Sequence, residues 1–453
     1  MNFKNLSLEE IIENIKLKET TKEEVFNYFL KRIEQYDKKL NCFNFINKEL
    51  NKEDGVLFAP IIKDLFCEKI PTTASSLMLS NFKPPYDATL ISRLKDEGMS
   101  SIGKVTMDEF AMNTENSASK KAINPWTNRV PGGSSSSAVS VAALVPAALT
   151  DTSLRQPASL CVVGFRPSYG RNSRYVMPMA SSFDCPTITK TVKDAGILYE
   201  IMNGEDSMEN TSLPGKDIIN PKIWETKDLK VKIGIPKEYF ELDAVKETIE
   251  NSIEELKSMA EIKEVSLPMT KYAIAAYYII VPAEVSTNLR LDGLRYGHKS
   301  DKEASSMDEI FMNNRELNES KRRTVLSYVL SAFYDAYYIK ASQVRTLIIE
   351  DFDKVFEEVD VIVPSSPSVA WKMENGEDPL KSYIADVFTV PASLALPGIS
   401  VPCFAETEDF EKEKMPVLQI LAPRLEEQKL LEIANVYEQN TSWKDQMIPK
   451  YED

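Results

Sequence analysis

Short apolar runs alternate with amphipathic helical stretches along the whole chain, and this alternation constrains the fold more than any other feature. Val56 to Ile62 is apolar without interruption and ends at Lys63-Asp64, the pattern of a strand buried on both faces. Thr89 to Glu97 has helical spacing, Met99 to Lys104 reads as a strand and turn, and Asp194 to Met202 is helical again. Lys230 to Ile235, Ala244 to Met259 and Ile262 to Leu267 follow as strand, helix and strand, a βαβ-like unit. Tyr272 to Tyr338 is mainly helical and aromatic-rich. Val359 to Val363, Ile399 to Pro402 and Val417 to Leu421 are further core strands, and Leu425 to Gln439 closes the chain as a helix. The prediction is an α/β fold with a large, mostly buried sheet covered by helices.

Two capping boxes open the chain. Ser7 to Glu10 and Thr21 to Glu24 both fit S/T-x-x-E, so each starts a helix. Leu8, Ile11, Ile12 and Ile15 line the first helix; Val25, Tyr28, Phe29 and Ile33 line the second. A single domain over 1–453 accounts for this order: a helical hairpin over 1–40, a core bearing the chemistry over 50–205, and the rest of the sheet over 229–453. The polar stretch Asn210 to Asp228 reads as a seam.

Charge and composition exclude several functions. A net charge of -15 repels phosphate backbones, so a broad basic face for nucleic acid is excluded, although a partner can still hold one. The N-terminal sequence has no long apolar run, so neither signal peptide nor membrane span is expected, and the location predicted is cytoplasmic. Cys42, Cys67, Cys161, Cys185 and Cys403 are scattered and form no C-x-x-C pair, which predicts buried reduced thiols rather than disulfides or zinc. His298 is the single histidine and reads as a loop residue, so multi-histidine metal sites are excluded.

The chemistry concentrates in two serine-bearing loops, Arg129 to Ser137 and Thr150 to Pro157, joined by the apolar run Ala138 to Leu149. Four serines after two glycines would by themselves suit a flexible loop. With Lys63 they allow a Ser-Ser-Lys relay of Lys63, Ser134 and Ser153. Serine is a weak nucleophile that needs a base, and a desolvated lysine can serve as one. Lys104 is the rival base.

These residues carry a resemblance. Ile62-Lys63-Asp64, Gly103-Lys104-Val105-Thr106-Met107-Asp108-Glu109-Phe110-Ala111-Met112, Pro131-Gly132-Gly133-Ser134-Ser135 and Ser153-Leu154-Arg155-Gln156-Pro157 resemble the amidase signature family. Pro282-Ala283-Glu284, Arg295-Tyr296-Gly297, Lys321-Arg322-Arg323, Tyr334 to Tyr338 and Asp386 to Ala392 extend the likeness to the GatA proteins of the tRNA-dependent amidotransferases, the GatCAB complexes. The resemblance implies the amidase signature fold, a large mixed twisted sheet with helices on both faces. It implies a glutaminase supplying ammonia for conversion of Glu-tRNA(Gln) or Asp-tRNA(Asn). Ser153 is then the nucleophile, Ser134 the bridging serine after a cis peptide bond, and Lys63 the base, with Asp151 and Thr152 in the oxyanion loop. Tyr296, Arg323 and Asp386 hold glutamine, with Arg322 as the alternative to Arg323. It further implies a heterotrimer with GatB-like and GatC-like subunits, misacylated tRNA held mainly by a partner, and ATP and Mg2+ used by the complex, with no cofactor or metal in this chain. The alternatives are a stand-alone amidase and an impaired scaffold homologue.

The chain departs from the family where the family has glycine. Gaps fall beside Ser135, before Ser153, after Met112, before Thr150, after Cys161, after Tyr175 and between Val417 and Leu418. Glycine is scarce overall, 15 in 453 residues against an average usage of roughly 7%. Two explanations fit: a sequence that omits glycines the protein carries, or a degenerate homologue. As written, Ser134 and Ser153 lie 19 residues apart, which predicts a tightened Ser153 loop with displaced oxyanion donors.

Overall fold

The computed structural model describes residues 2–51, 55–56, 61–111, 122–125, 131, 135–142, 144–150, 162–176, 181, 184–240, 246–289, 302–314, 333–364, 396–402 and 417–441. Among these, eleven strands form one mixed sheet. They are β1 (Phe43–Ile46), β2 (Ile61–Lys63), β3 (Gly103–Val105), β4 (Ala147–Leu149), β5 (Val163–Arg166), β6 (Thr187–Thr189), β7 (Lys232–Pro236), β8 (Glu261–Val265), β9 (Val361–Ile362), β10 (Gly398–Pro402) and β11 (Val417–Leu421). Their order across the sheet is β1-β3-β2-β4-β6-β5-β10-β11-β9-β7-β8. β2 runs parallel to both β3 and β4, and β7 runs parallel to both β8 and β9; the other neighbouring pairs are antiparallel.

Helices cover both faces. Along the strands, successive residues enter different cores: Ile61 packs with Val139 and Val145, whereas Ile62 packs with Leu90, Leu94 and Leu198. The helices are α1 (Leu8–Lys16), α2 (Lys22–Leu40), α3 (Thr89–Asp96), α4 (Ser136–Ala142), α5 (Val192–Met202), α6 (Lys246–Lys257), α7 (Ala273–Leu289), α8 (Met307–Asn314), α9 (Tyr338–Phe356) and α10 (Glu427–Asn440). In the other half of the sheet, Val361 joins the core under α5 and α10, while Ile362 joins the core under α9. No helix among the described residues is long and apolar enough to cross a membrane.

Both predicted capping boxes form. Ser7 accepts from Glu10 N and Thr21 from Glu24 N, and each glutamate reaches back to its cap residue. Ser7→Ala and Thr21→Ala are each expected to cost about 1 kcal/mol in urea unfolding. Asp194 on α5 docks the hairpin, accepting from Leu8 N and Glu9 N at 3.0 Å each. Burial pushes its carboxyl up from 3.8 to about 6, against the pull of those hydrogen bonds and of Lys190. A carboxyl with a raised folded value binds protons more tightly in the folded state, so its contribution to stability falls as pH rises through that window. The stability deficit of Asp194→Asn relative to the parent is therefore expected to be larger near pH 4.5 than at pH 7, as read by denaturant melts at both.

Three sequence expectations need correction. Asn210 to Asp228 is no seam: Ile219 and Ile223 are buried in the same core as Tyr199 and Tyr437. The helical region does not stop at Tyr338, where α9 begins and runs to Phe356 because Ile348 and Phe352 face the core and Val344 packs beside them. β1, β4, β5 and β6 have no counterpart in the sequence pattern, being three or four residues long and too short for a periodicity to register. Cys42 and Cys185 are buried free thiols and Cys67 a half-buried one; Cys161 and Cys403 lie outside the described residues.

Candidate active site

The parallel trio β3-β2-β4 sets the site. Parallel strands end on the same edge, the edge where α/β sheets place their ligands. Here that edge carries Lys63 at the end of β2 and Asp64 after it, Thr106 to Asp108 after β3, and Thr150 after β4. α4 runs back along β2 and β4, so its start, the serine run, returns to the same edge.

Lys63 is fully buried and donates from Nζ to Ser135 Oγ at 3.3 Å. Ser135 Oγ in turn shares a short hydrogen bond with Thr150 Oγ1, either oxygen being able to donate. Thr150 is pinned by its own backbone, N to Pro186 O at 3.1 Å. The result is a buried chain from an amine through two hydroxyls, the arrangement needed to pass a proton along serine-type oxygens.

The loop after β2 is held by Asp64. Its carboxylate accepts from Asn44 Nδ2 at 2.8 Å and Thr73 N at 3.0 Å. Ser75 Oγ accepts from Asn44 Nδ2 at 2.8 Å and from Met107 N at 2.9 Å, tying that loop to the one after β3. Lys63 therefore projects from a backbone fixed on both sides.

Lys104 faces away from the serines. In the β2–β3 register it pairs with Ile62 while Lys63 pairs with Val105, so the two lysines point to opposite faces of the sheet. Its Nζ donates to Phe66 O. Burial pushes its amine down, and Glu68 and Asp64 oppose that shift. Its partners therefore lie on the face of the sheet away from Ser135. Burial pushes the Cys42 and Cys67 thiols up and away from thiolate.

A second polar cluster joins α7 and α9. Glu284 accepts from Ser181 N at 2.6 Å, Ser181 Oγ at 2.9 Å and Tyr338 OH at 2.8 Å. Arg345 Nη1 donates to Ser181 Oγ at 2.9 Å. Burial lowers the Arg345 guanidinium and Glu284 restrains that shift.

Of the residues singled out from sequence, Lys63 and Lys104 are placed. Ser134, Ser153, Asp151, Thr152, Tyr296, His298, Arg322, Arg323 and Asp386 lie outside the described residues, as do the expected cis bond and the tightened Ser153 loop. Sequence reasoning gave no role to Ser135, which accepts from Lys63, or to Thr150, which bonds Ser135. Their signal was position alone: one follows Ser134, the other follows β4.

Among the described residues, a large mixed α/β sheet holds a buried lysine against a serine at the ends of its parallel strands. The chain belongs to the Amidase family, whose model matches residues 24–431. It is 42% identical to the GatA-type chain of the glutamyl-tRNA(Gln) amidotransferase of Halothermothrix orenii, an alignment covering 98% of this chain and 99% of that one. The corresponding chain of Thermoanaerobacter pseudethanolicus is also 42% identical, over 97% of each. The crystal structure of the same glutamyl-tRNA(Gln) amidotransferase component from Thermotoga maritima superposes with a TM-score of 0.82 at 34% identity, covering 97% of this chain and 96% of that one. A peptide amidase from Stenotrophomonas maltophilia shares the fold at 20% identity, with a TM-score of 0.77 and 97% of each chain covered.

Proposed function

We propose that this chain is the glutaminase component of a tRNA-dependent amidotransferase. The observation that carries the reading is end-to-end similarity to GatA-type chains, which includes the second half of the chain and not only the serine and lysine motifs.

Ser153 Oγ attacks the side-chain amide carbon of glutamine. Its proton passes through Ser134 toward Lys63 and on to the departing nitrogen, so ammonia leaves as the serine ester forms. Water then cleaves the ester to glutamate and restores Ser153. Asp151 and Thr152 belong to the loop whose backbone N–H groups stabilise the oxyanion. Arg323, with Arg322 as the alternative, pairs the α-carboxylate, Asp386 the α-ammonium, and Tyr296 packs beside them. Burial of Lys63 and its hydrogen bond toward the serine run support its role as base.

The chain carries no cofactor or metal of its own in this reading. ATP and Mg2+ act in the complex, on a misacylated tRNA held mainly by a GatB-like partner, with a GatC-like protein as the third component, in the cytoplasm. The acidic net charge of this chain fits delegation of the tRNA to a partner. Glutamine hydrolysis measured with and without the complementary components, ATP and tRNA tests the assignment. Hydrolysis that rises with them is expected. Partner-independent hydrolysis of simple amides would point instead to a stand-alone amidase.

A further inference from the structure

The relatives are longer than this chain internally. The Halothermothrix orenii alignment runs over 478 positions, yet 98% of 453 residues is about 444, which leaves about 34 positions without a residue here. The same arithmetic gives 480 less about 439, or about 41, for Thermoanaerobacter pseudethanolicus. It gives 484 less about 444, or about 40, for Thermodesulfovibrio yellowstonii.

Backbone conformation points to what is missing. Val176 sits at φ 56°, Phe110 at 53° and Ala111 at 61°. The left-handed region costs a non-glycine residue about 1–2 kcal/mol, and a β-branched or bulky residue there is a genuine outlier. Val176 directly follows Tyr175, one of the places where the resemblance implies a glycine with no counterpart here; Lys18, Asn41, Ala74, Ser75 and Leu425 also have positive φ and lie away from those places. Gly103 has φ +155°, and a Cβ there would lie 2.2 Å from Phe45 O. At Val417–Leu418, by contrast, the ladder with β10 runs unbroken and shows no strain.

Ordinary deletions remove any residue type and gather at exposed loop tips. The resemblance implies loss of one residue type, singly and in pairs, from catalytic loops and a core strand alike, and such a pattern points to a cause that acts on a codon. We propose that the protein made in the cell carries glycines at these vacant positions. They would be supplied by a codon that the cell reads as glycine and that the 453-residue sequence passes over; a stop codon is the class that leaves no residue behind. A glycine after Tyr175 then takes the left-handed turn that Val176 now occupies.

The test is the mass and peptide map of the protein purified from its source organism, set beside its gene. A mass above 51.2 kDa by whole multiples of the glycine residue is expected, with peptides that carry glycine between Tyr175 and Val176 and between Thr152 and Ser153. The gene should hold one extra in-frame codon, of a single kind, for each added glycine. A native mass matching the 453-residue composition overturns the proposal, as do extra residues other than glycine. Neither outcome bears on whether the protein hydrolyses glutamine, so this proposal and the functional one fail separately.

Discussion

In the protein with its glycines restored, Lys63→Met is expected to lower glutamine turnover by about 1,000-fold while leaving the protein folded. Methionine fills nearly the same volume without a proton acceptor, and a positioned general base contributes roughly 100- to 10,000-fold. Lys63 is fully buried with its amine 3.3 Å from Ser135 Oγ, so its removal takes away the amine that donates to that serine. Lys104→Met provides the contrast. Lys104 is equally buried but faces the other side of the sheet, toward Phe66 O and the buried Glu68. Its loss leaves the Glu68 carboxylate with Lys95, at 3.3 Å, as its ion-pair partner. The expected result is a stability loss of about 3 kcal/mol with kcat of the folded protein little changed. Equal losses of turnover in the two variants would remove the distinction between base and structural lysine.

The second large effect concerns the loop before Ser153. A recombinant chain made to the 453-residue sequence is expected to be a poor glutaminase, and insertion of two glycines between Thr152 and Ser153 to raise its kcat by at least about 100-fold. One oxyanion donor is worth ~100- to 1,000-fold, and a nucleophile loop short by two residues cannot present both of its N–H groups at the oxygen they serve. The gain should appear in kcat more than in KM, because such donors act on charge that develops in the transition state. Insertion of two alanines tests the conformational requirement separately: a loop needing positive φ accepts glycine at about 1–2 kcal/mol per residue less than alanine. An unchanged rate after glycine insertion would leave the degenerate-homologue reading in place.

What could be read from sequence follows from what leaves a local imprint. The capping boxes at Ser7 and Thr21, the βαβ unit around α6 and the closing helix α10 were legible, because helical periodicity over two or more turns and cap chemistry are local. The buried strand ending at Lys63 was legible from its uninterrupted apolar run. β4, β5 and β6 were not: each is three or four residues long, and each is fixed by its neighbours in the sheet rather than by its own pattern. Lys63 against Lys104 shows the same limit at the site. Both are lysines at strands, and only the register that sets Ile62 opposite Lys104 tells which one faces the serines. The roles of Ser135 and Thr150 depend on α4 folding back along β4, a tertiary fact with no signature in either residue.

The central claim, a serine nucleophile served by Lys63, is tested most directly by trapping the ester. The glycine-restored protein is incubated with glutamine, quenched in acid and digested, and the peptides are weighed. A γ-glutamyl adduct on the Ser153 peptide, absent from Ser153→Ala and strongly reduced in Lys63→Met, is the predicted result. An adduct on a cysteine, or turnover undiminished in Ser153→Ala, would contradict it.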